Sequence, residues 1–194
     1  MTKTLVVATG NPGKLKEMQT YLEGLDVQLT LKPEDLEIEE TGETFLANAC
    51  LKACEVAKAT GQWAIADDSG LAVDALNGAP GVYSARYEKT DADRIARILR
   101  ELGNENNREA QFVCAIAIAR PDGEIVLETE GICRGEIIHA PRGSGGFGYD
   151  PIFYVPSEQL TFAEMSPETK RSLSHRGKAF QALLPQLKEL LNRE

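Results

Sequence analysis

Phe112-Val113-Cys114-Ala115-Ile116-Ala117-Ile118-Ala119-Arg120-Pro121-Asp122-Gly123-Glu124-Ile125-Val126-Leu127-Glu128-Thr129 decides the fold class. Two apolar runs, 112–120 and 124–129, flank Pro-Asp-Gly, a strong turn signal. So short a link joins antiparallel neighbours, and the segment reads as a hairpin. Upstream the pattern differs. The β-branched run 4–8 is a buried strand, broken by Gly10-Asn11-Pro12-Gly13. Leu15, Met18, Leu22 and Leu25 then recur at helical spacing over 14–25. A strand over 27–31, a helix over 44–60 and a strand over 62–67 follow; 71–75 continues that strand after a kink at Gly70. Downstream come a helix over 91–102 with Asp91 near its cap, a glycine-rich loop over 142–148 and a short strand over 152–155. The last helix spans 174–191, kinked at Pro185. Alternating strands and helices followed by a hairpin-rich centre predict an α/β fold with a mixed sheet flanked by helices.

The 194 residues suit one domain, with room for two lobes, and the 42% hydrophobic share suffices for a sizeable core. The net charge of −9 argues against a duplex nucleic-acid binder. It leaves open a nucleotide held in a local basic pocket. The first residues lack a signal-peptide pattern, and no run reaches transmembrane length. Cys50, Cys54, Cys114 and Cys133 lack metal-ligand spacing and read as reduced thiols of a cytoplasmic protein.

Ala64-Ile65-Ala66-Asp67-Asp68-Ser69-Gly70-Leu71 carries the strongest chemical signal. An apolar strand runs into two carboxylates, a hydroxyl and a glycine. Side chains alternate across a strand, so Asp67 and Asp68 are expected on opposite faces. A buried carboxylate is costly unless something positive meets it, either a structural cation or a metal with a phosphate. Thr9-Gly10-Asn11-Pro12-Gly13-Lys14 is a strand–turn–helix junction whose unpaired N–H groups and lysine suit an anion. Ala8 and Leu15 rule out a Walker A loop there; the plain alternative is a turn with a surface lysine. On the next helix Thr44, Asn48 and Lys52 form one polar stripe. That stripe is either a solvated face or the lining of a cleft, with Lys52 toward an anion and Glu40 toward a cation.

Pro80-Gly81-Val82-Tyr83-Ser84-Ala85-Arg86-Tyr87 offers an arginine for phosphate oxygens or for a structural ion pair. Gly143-Ser144-Gly145-Gly146-Phe147-Gly148-Tyr149-Asp150 matches GxGxxG by letter. It opens no helix, so a Rossmann reading fails; a glycine loop presenting Phe147 to a flat ring fits better. Asp150 either reads a ring edge or caps a turn. Ser174-His175-Arg176-Gly177 puts two cationic residues in the first turn of the last helix, which calls for an anionic or hydrogen-bonding partner. His139 has no such context.

Together, in this order, Thr9-Gly10-Asn11-x-x-Lys14, Glu40-Thr41-Gly42-x-Thr44-Phe45-x-x-Asn48-Ala49, Ala66–Leu71, Pro80–Arg86, Phe147-Gly148-Tyr149-Asp150-Pro151 and Ser174–Gly177 resemble the inosine triphosphate pyrophosphatase family, the Ham1-like enzymes. The resemblance covers essentially the whole chain. It implies a single domain over 1–194 with a long, mixed, bent sheet and two lobes around a central cleft, shared with Maf-like proteins. It further implies a homodimer and Mg²⁺-dependent hydrolysis of noncanonical purine triphosphates (ITP, dITP, XTP) to monophosphate and pyrophosphate. By resemblance, Asp68 is the catalytic carboxylate and a magnesium ligand, with Glu40 the second acid at the metal. Thr9, Gly10, Asn11, Pro12, Gly13, Lys14, Lys52, Ser69 and Arg86 would hold the triphosphate. Phe147, Gly148, Tyr149, Asp150, Lys170, His175 and Arg176 would bind the nucleoside. Asp67 becomes a supporting residue turned toward the protein.

Two other readings stay open at this point. A Maf-like pyrophosphatase would act on pyrimidine or methylated nucleotides, but the Phe147–Asp150 and Ser174–Arg176 segments speak against it. A non-catalytic nucleotide sensor is opposed by the presence of both Glu40 and Asp68. Sequence leaves Glu39 and Glu40 equivalent as metal contacts.

Overall fold

The computed structural model describes residues 3–10 and 12–193. Its elements in chain order are β1 (Lys3–Val7), α1 (Pro12–Tyr21), β2 (Val27–Leu31), α2 (Phe45–Thr60), β3 (Trp63–Val73), α3 (Asp91–Leu102), β4 (Glu109–Ala119), β5 (Ile125–Ile137), β6 (Phe153–Val155), β7 (Leu160–Thr161), α4 (Pro167–Leu173) and α5 (His175–Arg193). Short 3-10 turns occupy Asp74–Leu76, Gly81–Arg86 and Asp150–Ile152. The strands form a seven-stranded sheet in the order β2-β1-β3-β4-β5-β6-β7. β1 pairs in parallel with β2 and β3, whereas β6 pairs antiparallel with β5 and β7. The sheet is therefore mixed, as the sequence predicts. Among the described residues no helix is long and apolar enough to cross a membrane.

The chain divides into two units. The first holds the chain up to Asp68, residues 114–131 and the chain from Lys178; the second holds 69–113 and 132–177. In the first unit, strand alternation sorts side chains by size. Leu5, Val7, Trp63, Ile65, Cys114, Ile116 and Ile118 belong to one cluster, with Met18 and Leu22 near α1 and Phe180, Leu183 and Leu187 of α5. Their neighbours Val6, Ala64, Ala66, Ala115, Ala117 and Ala119 belong to the other, with Ala49, Ala53, Val56 and Ala57 of α2. One sheet face is bulky and the opposite face is a floor of alanines. Thr44 caps α2 through Ala47 N at 3.1 Å, and Gly61 closes it at φ +62°.

The second unit packs the amphipathic α3 through Ile95, Ile98, Leu99 and Leu102. Its core adds Leu71, Val73, Phe112, Ile137, Phe153 and Phe162.

Several boundaries differ from the sequence reading. Pro12, whose ring suits a first helical position, starts α1 two residues early; α1 ends at Tyr21, ahead of Gly24 at φ +88°. β3 runs unbroken through Gly70, because Leu71 and Val73 continue as core residues. β5 extends to Ile137. Thr129, Gly131, Cys133, Gly135 and Ile137 are buried while Glu130, Arg134 and Glu136 are exposed, a period-two pattern that glycines disguise. β7 and α4 were not anticipated, although Ser166 caps α4 ahead of Pro167. α3 keeps the expected bounds, with Thr90 as its cap and Asp91 beside it. α5 starts at His175, one residue later than expected, and contains Pro185 within its span. None of the four cysteines forms a disulfide; Cys114 and Cys133 are buried and the other two half-buried.

The alanine floor sets a testable asymmetry. Ala117 is fully buried beneath α2, so Ala117→Leu should overpack that layer and cost about 1–3 kcal/mol. On the bulky face, Ile116→Val should cost about 1 kcal/mol. Urea denaturation of both variants checks the order; equal losses would contradict it.

Candidate active site

Where β3 leaves the alanine floor, the same alternation assigns its two acids. Asp68 shares parity with Ala64 and Ala66, the α2 side; Asp67 shares parity with Trp63 and Ile65, the α1 and α5 side. Each acid meets the lysine on its own side. Lys52 of α2 puts Nζ 3.1 Å from Asp68 Oδ1 and 2.7 Å from Glu40 Oε1. Lys14 of α1 puts Nζ 3.4 Å from Asp67 Oδ1. Asp67, expected only to support the fold, thus engages one of the lysines that the sequence assigns to phosphate.

Small neighbours make this burial feasible. Asn48 is fully buried one turn before Lys52, and its Oδ1 accepts from Gly42 N at 2.7 Å. A Cβ at Gly42 would stand 2.6 Å from that oxygen, so only glycine lets the segment after Glu40 close against α2. Asp68 is 8% exposed. Its Oδ2 and Asn48 Nδ2 are both buried without a hydrogen-bond partner. The Asn48 amide favours the Asp68 charge.

Burial pushes the Asp68 carboxyl above the ordinary aspartate range; Lys52 opposes the shift and Glu40 adds to it. Burial works against the Lys52 charge too, yet Asp68, Glu40 and Asp67 hold its ammonium above the usual lysine value. The polar stripe Thr44-Asn48-Lys52 is therefore a helix cap followed by two buried side chains, not a solvated face.

Unpartnered Asp68 Oδ2 beside Glu40 is an oxygen-only donor pair, which suits a hard divalent cation. Among the described residues no group of three or more His, Cys, Asp or Glu could hold a metal. A cation here would need further ligands from phosphate and water. Thr9 is half-buried and Gly10 exposed, Pro12 and Gly13 form the first turn of α1, and Asn11 lies outside the described residues.

The second unit holds the other predicted residues. Phe147 is 61% exposed at the loop tip, with Lys170 Nζ 5.1 Å from its ring. Asp150 is buried, accepts from Phe147 N at 2.9 Å and pairs with Lys170 at 2.5 Å. It caps the turn, one of the two roles that sequence left open, and also faces a cation. Tyr149 OH donates to Ser84 O at 2.8 Å, and burial pushes its phenol up. Ser84 Oγ in turn accepts from Leu71 N at 2.9 Å and donates to Gly81 O at 2.6 Å.

His175 and Arg176 are buried in the first turn of α5. His175 stacks on Phe112 at 4.8 Å, and Arg176 Nη2 donates to Ser69 Oγ at 3.3 Å. Ser69 is one hydrogen-bonding partner of this turn. Arg86 ends its 3-10 turn exposed, its guanidinium 5.0 Å over the Tyr83 ring. His139 is exposed.

Sequence reasoning placed Asn48 on the polar stripe that either is solvated or lines a cleft, without giving it a role, and left Ser84 out of the site. The i, i+4 spacing of Asn48 and Lys52 was the available signal for the first. Nothing in the pattern around Ser84 announced its role.

A family model described as the Ham1 family matches residues 5–186. The chain is 73% identical over 192 residues to a dITP/XTP pyrophosphatase of Nostoc sp., covering 99% of this chain and 98% of the relative. It is 66% identical to a dITP/XTP pyrophosphatase of Synechocystis sp., covering 94% of each. Its fold is similar to the solved Ham1 protein of Staphylococcus aureus, with a TM-score of 0.89 and 44% identity over 96% of this chain and 99% of that one.

The two lysine pairs differ in burial, and so in worth. Lys52→Met strands two carboxylates, one of them buried, and should cost about 3 kcal/mol. The Lys14 side chain is 36% exposed and lies 3.4 Å from the Asp67 carboxylate, so Lys14→Met should cost less than about 1 kcal/mol. Because the Lys52 value is raised, its contribution is present below the ordinary value of 10.5 and is lost as pH rises through the folded value. Urea titrations from neutral to alkaline pH, without nucleotide or metal, test both points. The alkaline loss should be absent in Lys52→Met.

Proposed function

This chain belongs to the Ham1 family, and from that premise we propose that it is a nucleoside-triphosphate pyrophosphatase for noncanonical purines. Its substrates are dITP, XTP and ITP, cleaved to the monophosphate and pyrophosphate, which cleanses the nucleotide pool. The observation that carries this reading is Asp68, buried, with one oxygen on Lys52 and the other without a donor.

In this reading Asp68 orients the attacking water and takes its proton. The water oxygen bonds to the α-phosphorus. The bond from that phosphorus to the α–β bridging oxygen breaks, and the bridging oxygen leaves with the electron pair as part of pyrophosphate. Lys14, Lys52 and Arg86, with Thr9–Lys14 and Ser69, are assigned to the triphosphate, where cations offset the charge of the leaving group.

Magnesium fits the donor chemistry of Asp68 and Glu40, which would hold it. When bound it would neutralise charge on the phosphate oxygens. Glu40 is preferred to Glu39 because it is half-buried against Lys52, while Glu39 is exposed.

Phe147, Gly148, Tyr149, Asp150, Lys170, His175 and Arg176 are assigned to the nucleoside. The exposed Phe147 ring suits stacking on a base. Hypoxanthine and xanthine carry oxygen at C6, where adenine carries an amine. A donor aimed there, from Arg176 or a backbone N–H, loses its partner with adenine. A homodimer in the cytoplasm is part of the same proposal.

Pyrophosphate release with Mg²⁺ across dITP, XTP, ITP, ATP, GTP and TTP tests the reading. The first three should turn over, with kcat/KM for ATP lower by about 10⁴. Equal turnover of ATP and ITP would overturn the specificity. Asp68→Asn should lower kcat by at least about 10²-fold while dITP still binds; an unchanged kcat would remove Asp68 from the chemistry.

A further inference from the structure

The loop that carries Phe147 is held at its tip by two carboxylates of opposite character. Asp150 accepts from Phe147 N at 2.9 Å and is itself buried against Lys170. Asp91 accepts from the next amide, Gly148 N, at 2.8 Å through Oδ2. Its other oxygen, Oδ1, accepts from Arg94 Nη1 at 2.6 Å. Arg94 also donates through Nε to Glu88 O at 3.0 Å and through Nη2 to Ala85 O, the residue before Arg86.

Asp91 is free to do this because Thr90 caps α3, accepting from Asp93 N at 3.1 Å. One carboxylate–guanidinium pair therefore ties the glycine loop to α3 and to the end of the 81–86 turn. The Asp150 bond fixes the amide before the Phe147 side chain, and the Asp91 bond fixes the amide after it. Together they limit the rotation of the peptide units that aim the ring. Gly148 sits at φ +60°, a conformation open to glycine, so its amide needs an external acceptor to keep that orientation.

We propose that Asp91, held by Arg94, is a positioning residue that sets Phe147 for stacking on the purine base. The inference rests on the pyrophosphatase reading above. It makes Asp91 a determinant of base-side affinity, distinct from the phosphate chemistry around Asp68.

Steady-state hydrolysis of dITP by full-length Asp91→Ala, with inhibition by inorganic triphosphate alongside, tests it. The KM for dITP should rise about five- to ten-fold, the loss of one exposed charge-assisted hydrogen bond. A positioning role leaves kcat within about two-fold. The inhibition constant of inorganic triphosphate, which has no base to stack, should not change. Asp91→Asn keeps an acceptor oxygen for Gly148 N and should recover most of the loss. Amide exchange at Gly148 should quicken in the alanine variant only.

A general structural defect would raise KM and the triphosphate constant together, and that result would overturn the inference. So would an unchanged KM in Asp91→Ala, which would leave the parent reading intact. A wild-type enzyme that turns over no purine triphosphate would overturn the parent reading and this inference with it. If Asp91→Ala does not fold, Arg94→Gln carries the same test, and an unchanged KM there would equally sink the proposal.

Discussion

The first unit depends on the size of the side chains along one face of β3 and β4. A lysine and an aspartate cannot be buried together unless their charges approach closely, since desolvation exceeds what loose pairing returns. Ala64, Ala66, Ala115, Ala117 and Ala119 meet Ala49, Ala53 and Ala57 of α2 with little side chain between them. That close contact holds α2 where Lys52 reaches Asp68, midway along β3. Gly42 serves the same end from the other direction, admitting the segment that brings Glu40 to Lys52. The charged cluster is thus a consequence of apolar packing, and its unpaired atom, Asp68 Oδ2, is what the packing leaves for a ligand.

The second unit solves a different problem. A glycine-rich loop has little side chain to pack, so its order comes from carboxylates that accept backbone amides. Asp150 does this from within the core and Asp91 from the surface. Tyr149 anchors the loop's far end through Ser84, whose hydroxyl also fastens Leu71 of β3 and Gly81. His175 and Arg176 are placed by α5, which Gly177 allows to begin tight against α4: a Cβ at Gly177 would overlap Arg171 O. Aromatic stacking on Phe112 holds the His175 ring.

Most elements were legible because their signals are local. The Pro121-Asp122-Gly123 turn, the spacing of apolar residues in α1, and the apolar runs of β1 and β2 depend on neighbours in sequence. β5 was cut short because Gly131 and Gly135 hide an alternation that burial reveals. β7 is two residues long and exists only as the partner of β6. The extra turn of helix at α4 is capped by Ser166, a signal present but overlooked.

By itself the sequence determined that Asp67 and Asp68 must face opposite ways, that the sheet is mixed, and which segments carry charged and aromatic groups. Alternation and turn chemistry are properties of adjacent residues, so no fold is needed to read them. Only the tertiary structure decided that Asp68 meets Lys52 while Asp67 meets Lys14, that Asn48 is buried beside the first pair, and that Asp91 holds the Phe147 loop. Those pairings join residues 16, 53, 20 and 57 positions apart. They follow from how helices lie on a sheet and how loops return to a helix end, which no local pattern encodes.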